Sequence, residues 1–281
     1  VSRQAAIKLA WKKGRMLVSD LMHTLKLLTK QLSRGEIALC VHTLCFSSLF
    51  YMMWCDFQIP LLYKGAFLGK GLYLTHQTLW ILATYFFLGF VASVKKEVLG
   101  GKPWAQLERF LHWGSVMAGG FGIFKTIMFY ALVWPSPAYH ENVIKPQEAK
   151  GIPMTYFMHV IHAPSLVLVL LEAFVKQPHL VQSAVGSAVS YIKFFVAFGC
   201  WYIFVLRYNY YKTNGYPYPF MSEFTAWWHH WVFYCFCFGF IWVLACVHRS
   251  FLLVVQGKSK GAKGGETLRS RDGYNLRSKD K

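Results

Sequence analysis

Residues 228–248 read WHHWVFYCFCFGFIWVLACVH and contain no Asp, Glu, Lys or Arg. A helix rises about 1.5 Å per residue, so a stretch this long crosses a hydrocarbon layer of roughly 30 Å. Five further stretches read the same way: 37–57, 72–94, 112–134, 155–175 and 185–206. Helix breakers fall between them, at Gly100-Gly101, Pro135-Ser136-Pro137 and Asn214-Gly215-Tyr216-Pro217. Every backbone polar group within lipid must find its partner inside the segment, and helices are the way a chain of this pattern achieves that. The expectation is an all-α polytopic membrane protein, a six-span helical bundle over residues 37–255.

Composition agrees. Of 281 residues, 55% are hydrophobic, 18% aromatic and only 15% charged, with a mean hydropathy of +0.33. A soluble domain carries roughly 25% charged residues. A soluble globular enzyme, a disordered chain, a collagen-like repeat and a disulfide scaffold are all excluded by this balance. The seven cysteines, Cys40, Cys45, Cys55, Cys200, Cys235, Cys237 and Cys246, lie in or beside apolar runs and read as structural thiols that act as small hydrophobes. Cys235-Phe236-Cys237 does not have zinc-knuckle spacing.

The flanks differ from the bundle. In residues 1–36, Leu9, Met16, Leu17, Leu21, Leu25 and Leu28 recur at near-helical spacing among Lys8, Lys12, Lys13, Arg15, Lys26 and Lys30. This predicts a basic amphipathic helix on a membrane surface, or alternatively one packed on a partner protein. Residues 256–281 form a basic tail rich in Gly and Ser, expected to be flexible. Of the 30 Lys and Arg residues, 22 fall on the side shared by the two termini and 6 on the other. The positive-inside rule then places both termini on the cytoplasmic side, or on the matrix side of a mitochondrial inner membrane, with an endomembrane favoured. The +18 charge reads as attraction to anionic headgroups, not to nucleic acid, for which no binding module is present.

Polar residues inside a membrane are costly and mark candidate sites. Thr75 lies about 5 Å into the second span, and His159 and His162 lie roughly 6 and 10 Å into the fourth, entering from the same side. Three residues apart, the two histidines share a helix face. The loop Tyr216-Pro217-Tyr218-Pro219-Phe220 belongs to that side as well. A hydroxyl beside an imidazole can form a nucleophile and its base. The alternative is that Thr75 bonds back to its own helix while the histidines make packing contacts. Lys125 in the third span reaches the depth of His162 and could steady a developing oxyanion, orient the histidine, or snorkel. Glu172 and Lys193 lie nearer the terminal side and are expected to form an ion pair. His42, His112 and His248 cluster at that side as well, which admits a rival reading in which facing histidines ligate haem.

Leu72-Tyr73-Leu74-Thr75, with the apolar stretch to Phe86-Phe87, resembles the second-span signature of the androgen-induced and androgen-dependent TFPI-regulating protein family. Met158-His159-Val160-Ile161-His162 with Glu172 ten positions on is similar to the family's fourth-span pattern, and Tyr216 to Phe220 to its aromatic-Tyr-Pro-Phe loop. The likeness covers roughly residues 40–250. It departs at Arg109-Phe110-Leu111-His112, where the family carries an Arg-Asp pair, and at Gly119-Gly120, where it tends to carry a proline. The resemblance implies a multi-pass threonine hydrolase of fatty acid esters, with Thr75 as nucleophile and His162 as its essential histidine. On that reading Tyr216, Pro217, Tyr218 and Pro219 cover the pocket mouth, His159 and, from outside the family pattern, Lys125 are secondary candidates, and no metal or cofactor is required. The other function class is a non-catalytic accessory subunit of a larger membrane complex, which keeps the bundle and grips protein partners or lipid through its basic ends.

Overall fold

The computed structural model describes residues 32–61, 67–102, 104–176, 181 and 185–257. All regular structure among them is helical. Six segments are long and apolar enough to cross a membrane. They are built from α1 (Arg34–Gln58), α2 (Leu74–Glu97), α3 (Ala105–Met128), α4 (Met154–His162) with α5 (Pro164–Val175), α6 (Ile192–Thr213) and α7 (Trp227–Gly257). The six expected spans are therefore all present. Residues 1–31 of the amphipathic segment and 258–281 of the tail lie outside the described residues, and α7 runs on through 256 and 257.

Local chemistry sets the helix ends. Ser33 and Glu36 form a capping box at α1: the Glu36 N–H donates to Ser33 Oγ at 3.2 Å, and the Ser33 N–H to Glu36 Oε2 at 2.6 Å. At the far end of α6, Asn214 takes the left-handed conformation with φ 53° and stops the helix. The sequence places that end near 206, but nothing between 207 and 213 breaks a helix, so it continues to the first residue that does. Pro164 interrupts the fourth span. It brings no N–H to the helix and divides the span into α4 and α5 around Ala163.

The third span is the central one, with 61% of its apolar window buried against 22% for the first. Its burial rests on glycine. A Cβ at Gly119 would lie 2.1 Å from the His248 ring, and one at Gly120 would lie 2.8 Å from Ala245 Cβ and 3.1 Å from the Ile241 carbonyl. On another face, a Cβ at Gly122 would lie 2.9 Å from Val169. Helices in lipid gain no hydrophobic drive from meeting one another, so close backbone approach through small residues is what joins them. Gly119 and Gly120 thus seat α7 on α3, and Gly122 seats α5.

At the end of the bundle where the described chain begins and ends, Glu172 is buried in a polar cluster. It pairs with Lys176, accepts from Tyr85 Oη and, at 2.8 Å, from Ser115 Oγ, and faces His42 Nε2 at 3.9 Å. Lys176 also donates to the Leu111 carbonyl at 3.1 Å, while Arg34 donates to the Lys176 carbonyl at 2.9 Å. The expected partner, Lys193, is exposed and takes no part in it. One turn of helix separates Glu172 from Lys176, and this i, i+4 spacing gives the closer cation. His42 is held by Ser93 at 2.7 Å and His112 by the Glu108 carbonyl at 2.7 Å, while the His248 ring packs against Gly119. Each of these histidines thus fits tightly among its neighbours.

Candidate functional site

A cavity of about 440 Å³ opens at the opposite end of the bundle, within the range of roughly 300–1,000 Å³ typical of ligand sites. Its walls are largely apolar and aromatic, with Leu74, Phe124, Met128, Leu132 and Phe238 among them. Thr75, His162, Lys125, Tyr216, Pro217 and Tyr218 all line this one space. Pro219 opens the short 3-10 turn Pro219–Glu223. His159 is not among the lining residues; its ring packs on Trp134 and Tyr130, and its Nδ1 meets Tyr130 Oη at 2.7 Å.

Thr75 is half-buried in the first turn of α2. The back-bond in that turn is made by Thr78, whose Oγ1 donates to the Thr75 carbonyl at 2.9 Å. Above it, Tyr218 Oη accepts the Leu74 N–H at 2.9 Å, so the aromatic loop supplies the acceptor that a helix N-terminus lacks. Tyr202 lies 3.4 Å from the same oxygen. Burial pushes the Tyr218 phenol above the ordinary tyrosine range, and the loop tyrosine stays protonated. Tyr216 is fixed between the rings of Tyr210 and His230, and its hydroxyl accepts from Arg207 at 3.1 Å.

His162 is buried, with its Nδ1 2.7 Å from the Met158 carbonyl. A carbonyl can only accept, so Nδ1 carries the proton and Nε2 is left as the basic nitrogen of a neutral imidazole. The ring stacks on Phe129 with centroids 3.7 Å apart and planes at 10°. Phe129 opens a π-helical turn, Phe129–Val133, closed by the Trp134 N–H on the Phe129 carbonyl at 2.8 Å. Such turns occur mostly as single bulges, frequently beside functional sites. The His162 carbonyl, at the Pro164 break, accepts from Thr126 Oγ1 at 2.7 Å, which ties the kink to α3.

Beside these stands a polar group that the candidate set does not include. Asp56, near the end of α1, lines the cavity with Lys70 and His76. His76 Nδ1 lies 2.7 Å from Asp56 Oδ2, and Trp80 Nε1 donates to His76 Nε2 at 2.7 Å. Indole N–H can only donate, so the Nε2 lone pair is occupied and Nδ1–H points at the carboxylate. Lys70 sits 3.8 Å from the same carboxylate and donates to the Asp56 carbonyl. Burial draws the Lys70 ammonium below the ordinary lysine range, with Asp56 pulling the other way. The signal was there to use: Asp56 is the acidic residue near the end of an otherwise apolar run.

Lys125 is 3% exposed, and its Nζ has no hydrogen-bond partner among the described residues. Those residues also contain no group of three or more His, Cys, Asp or Glu side chains placed to hold a metal ion. The model for the family described as FAR-17a/AIG1-like protein matches residues 37–251. No curated protein and no solved structure matches the chain.

Proposed function

The chain belongs to the FAR-17a/AIG1-like family, and from that membership together with the cavity shared by Thr75 and His162 we propose that it hydrolyses fatty acid esters within the membrane. His162 Nε2 takes the Thr75 hydroxyl proton as Oγ1 attacks the acyl carbon. The tetrahedral intermediate collapses to an acyl-threonine ester, and the same proton passes to the departing alcohol. Water then attacks that ester with His162 again as base, releasing a carboxylic acid and restoring the hydroxyl. The apolar walls suit fatty chains, and the loop from Tyr216 to Phe220 covers the mouth while Tyr218 anchors the turn that carries Thr75. No cofactor enters these steps. The basic segments at both ends hold the bundle to anionic headgroups of the cytoplasmic or matrix leaflet.

The observation that carries the reading is the placement of Thr75 and a δ-protonated His162 on one lipid-sized cavity. The test is covalent labelling of the purified full chain by a fluorophosphonate probe, paired with release of acid from a fatty acid ester of a hydroxy fatty acid. Labelling and release are expected in the wild type and absent from Thr75→Ala. Labelling that survives Thr75→Ala, or a wild type inert in both assays, defeats the hydrolase and leaves the accessory-subunit alternative.

A further inference from the structure

An ammonium group with no partner is an expensive thing to bury. Lys125 is such a group among the described residues: it lines the cavity, and no carboxylate of those residues is hydrogen-bonded to it. The acid that acts on it electrostatically is Asp56. That carboxylate is already held by His76 at 2.7 Å and Lys70 at 3.8 Å. Glu223, the other acidic residue on the lining, is exposed. Among the described residues the cavity therefore joins apolar walls to a buried cation with no hydrogen-bond partner, a combination that matches a molecule with a long hydrocarbon chain and one anionic oxygen pair.

We propose that this cavity binds a long-chain fatty acid, with its carboxylate on Lys125 Nζ and its chain along the apolar walls. The carboxylate supplies the hydrogen-bonded counter-charge that the protein withholds, and charge-assisted pairs in a water-poor site are among the stronger polar contacts. The inference rests on the hydrolase reading only for the origin of the acid, which is the product of that cleavage. On this account Lys125 retains the acid after turnover, so free fatty acid competes with ester.

The probe is palmitate, with hexadecanol as a neutral molecule of the same chain length. Binding to the delipidated full chain in a non-ionic detergent is measured with the tritiated compounds. Wild type and Thr75→Ala are expected to bind palmitate saturably and alike. Lys125→Met is expected to lose palmitate affinity at least tenfold, to change hexadecanol affinity less than twofold, and to melt no lower than wild type. Lys125→Arg keeps the cation and retains palmitate. Absent binding in the wild type, an equal loss of both ligands in Lys125→Met, or palmitate binding indifferent to that change, overturns the proposal. No turnover is involved and the measurement is repeated in Thr75→Ala, so an inert hydrolase and a failed acid site give different results.

Discussion

Of the two histidines on the cavity, hydrogen-bond direction separates the one able to act as a base from the one that is not. His76 is nearer Thr75 in sequence, yet Trp80 occupies its Nε2 and its Nδ1–H donates to Asp56. His162 donates its Nδ1–H to a main-chain carbonyl, which leaves Nε2 to act as the base. A positioned general base contributes about 10²–10⁴-fold. His162→Gln is therefore expected to slow fluorophosphonate labelling of Thr75 by at least a hundredfold, while His76→Gln changes it by less than about fivefold. Equal losses in the two variants would mean that the proton takes another route. Which atom of each ring is committed depends on Trp80 and Met158, each one helical turn from its histidine, and on Asp56, which no spacing along the chain identifies.

Among the elements, six spans, their order and the convergence of three separate segments at one depth were legible, because apolar length and helical rise alone decide them. Three features were not. The break at Pro164 falls inside a stretch that apolar length alone treats as one span, and its tie through Thr126 to α3 makes it part of the site. Glu172 pairs with Lys176 and not with Lys193, since depth in the membrane gives no information on azimuth around the helix. Asp56 enters the cavity from a span whose other residues carry no site signal. The structure gives Gly119-Gly120 a role as the seat of α7. Gly119→Ala would drive a methyl group into the His248 ring. Overpacking of this kind costs about 1–3 kcal/mol. A lower melting temperature is expected, recovered in part by Gly119→Ala combined with His248→Ala; an unchanged melting temperature in the single variant would show that α7 is not held there.

Across the whole molecule, the two polar centres lie at opposite ends of the bundle and have different chemistry. The cavity end leaves a cation uncommitted, whereas the Glu172 cluster draws α1, α2, α3 and α5 together through partners on each. Removing one member of a buried ion pair costs about 3–5 kcal/mol, because the other charge is stranded. Glu172→Gln is expected to lower the melting temperature sharply, and Glu172→Gln with Lys176→Met to regain most of the loss. If the single substitution leaves thermal stability intact, the cluster does not clamp the bundle.

The break at Pro164 gives the fourth span a division of labour. Substitutions of His162, on one side of it, are expected to yield protein that accumulates but does no chemistry. Substitutions of Glu172, on the other, are expected to yield protein removed by cellular quality control before its chemistry can be assayed. A substitution library at these two positions, scored for both abundance and turnover, should separate them: loss of turnover alone at His162, loss of abundance at Glu172.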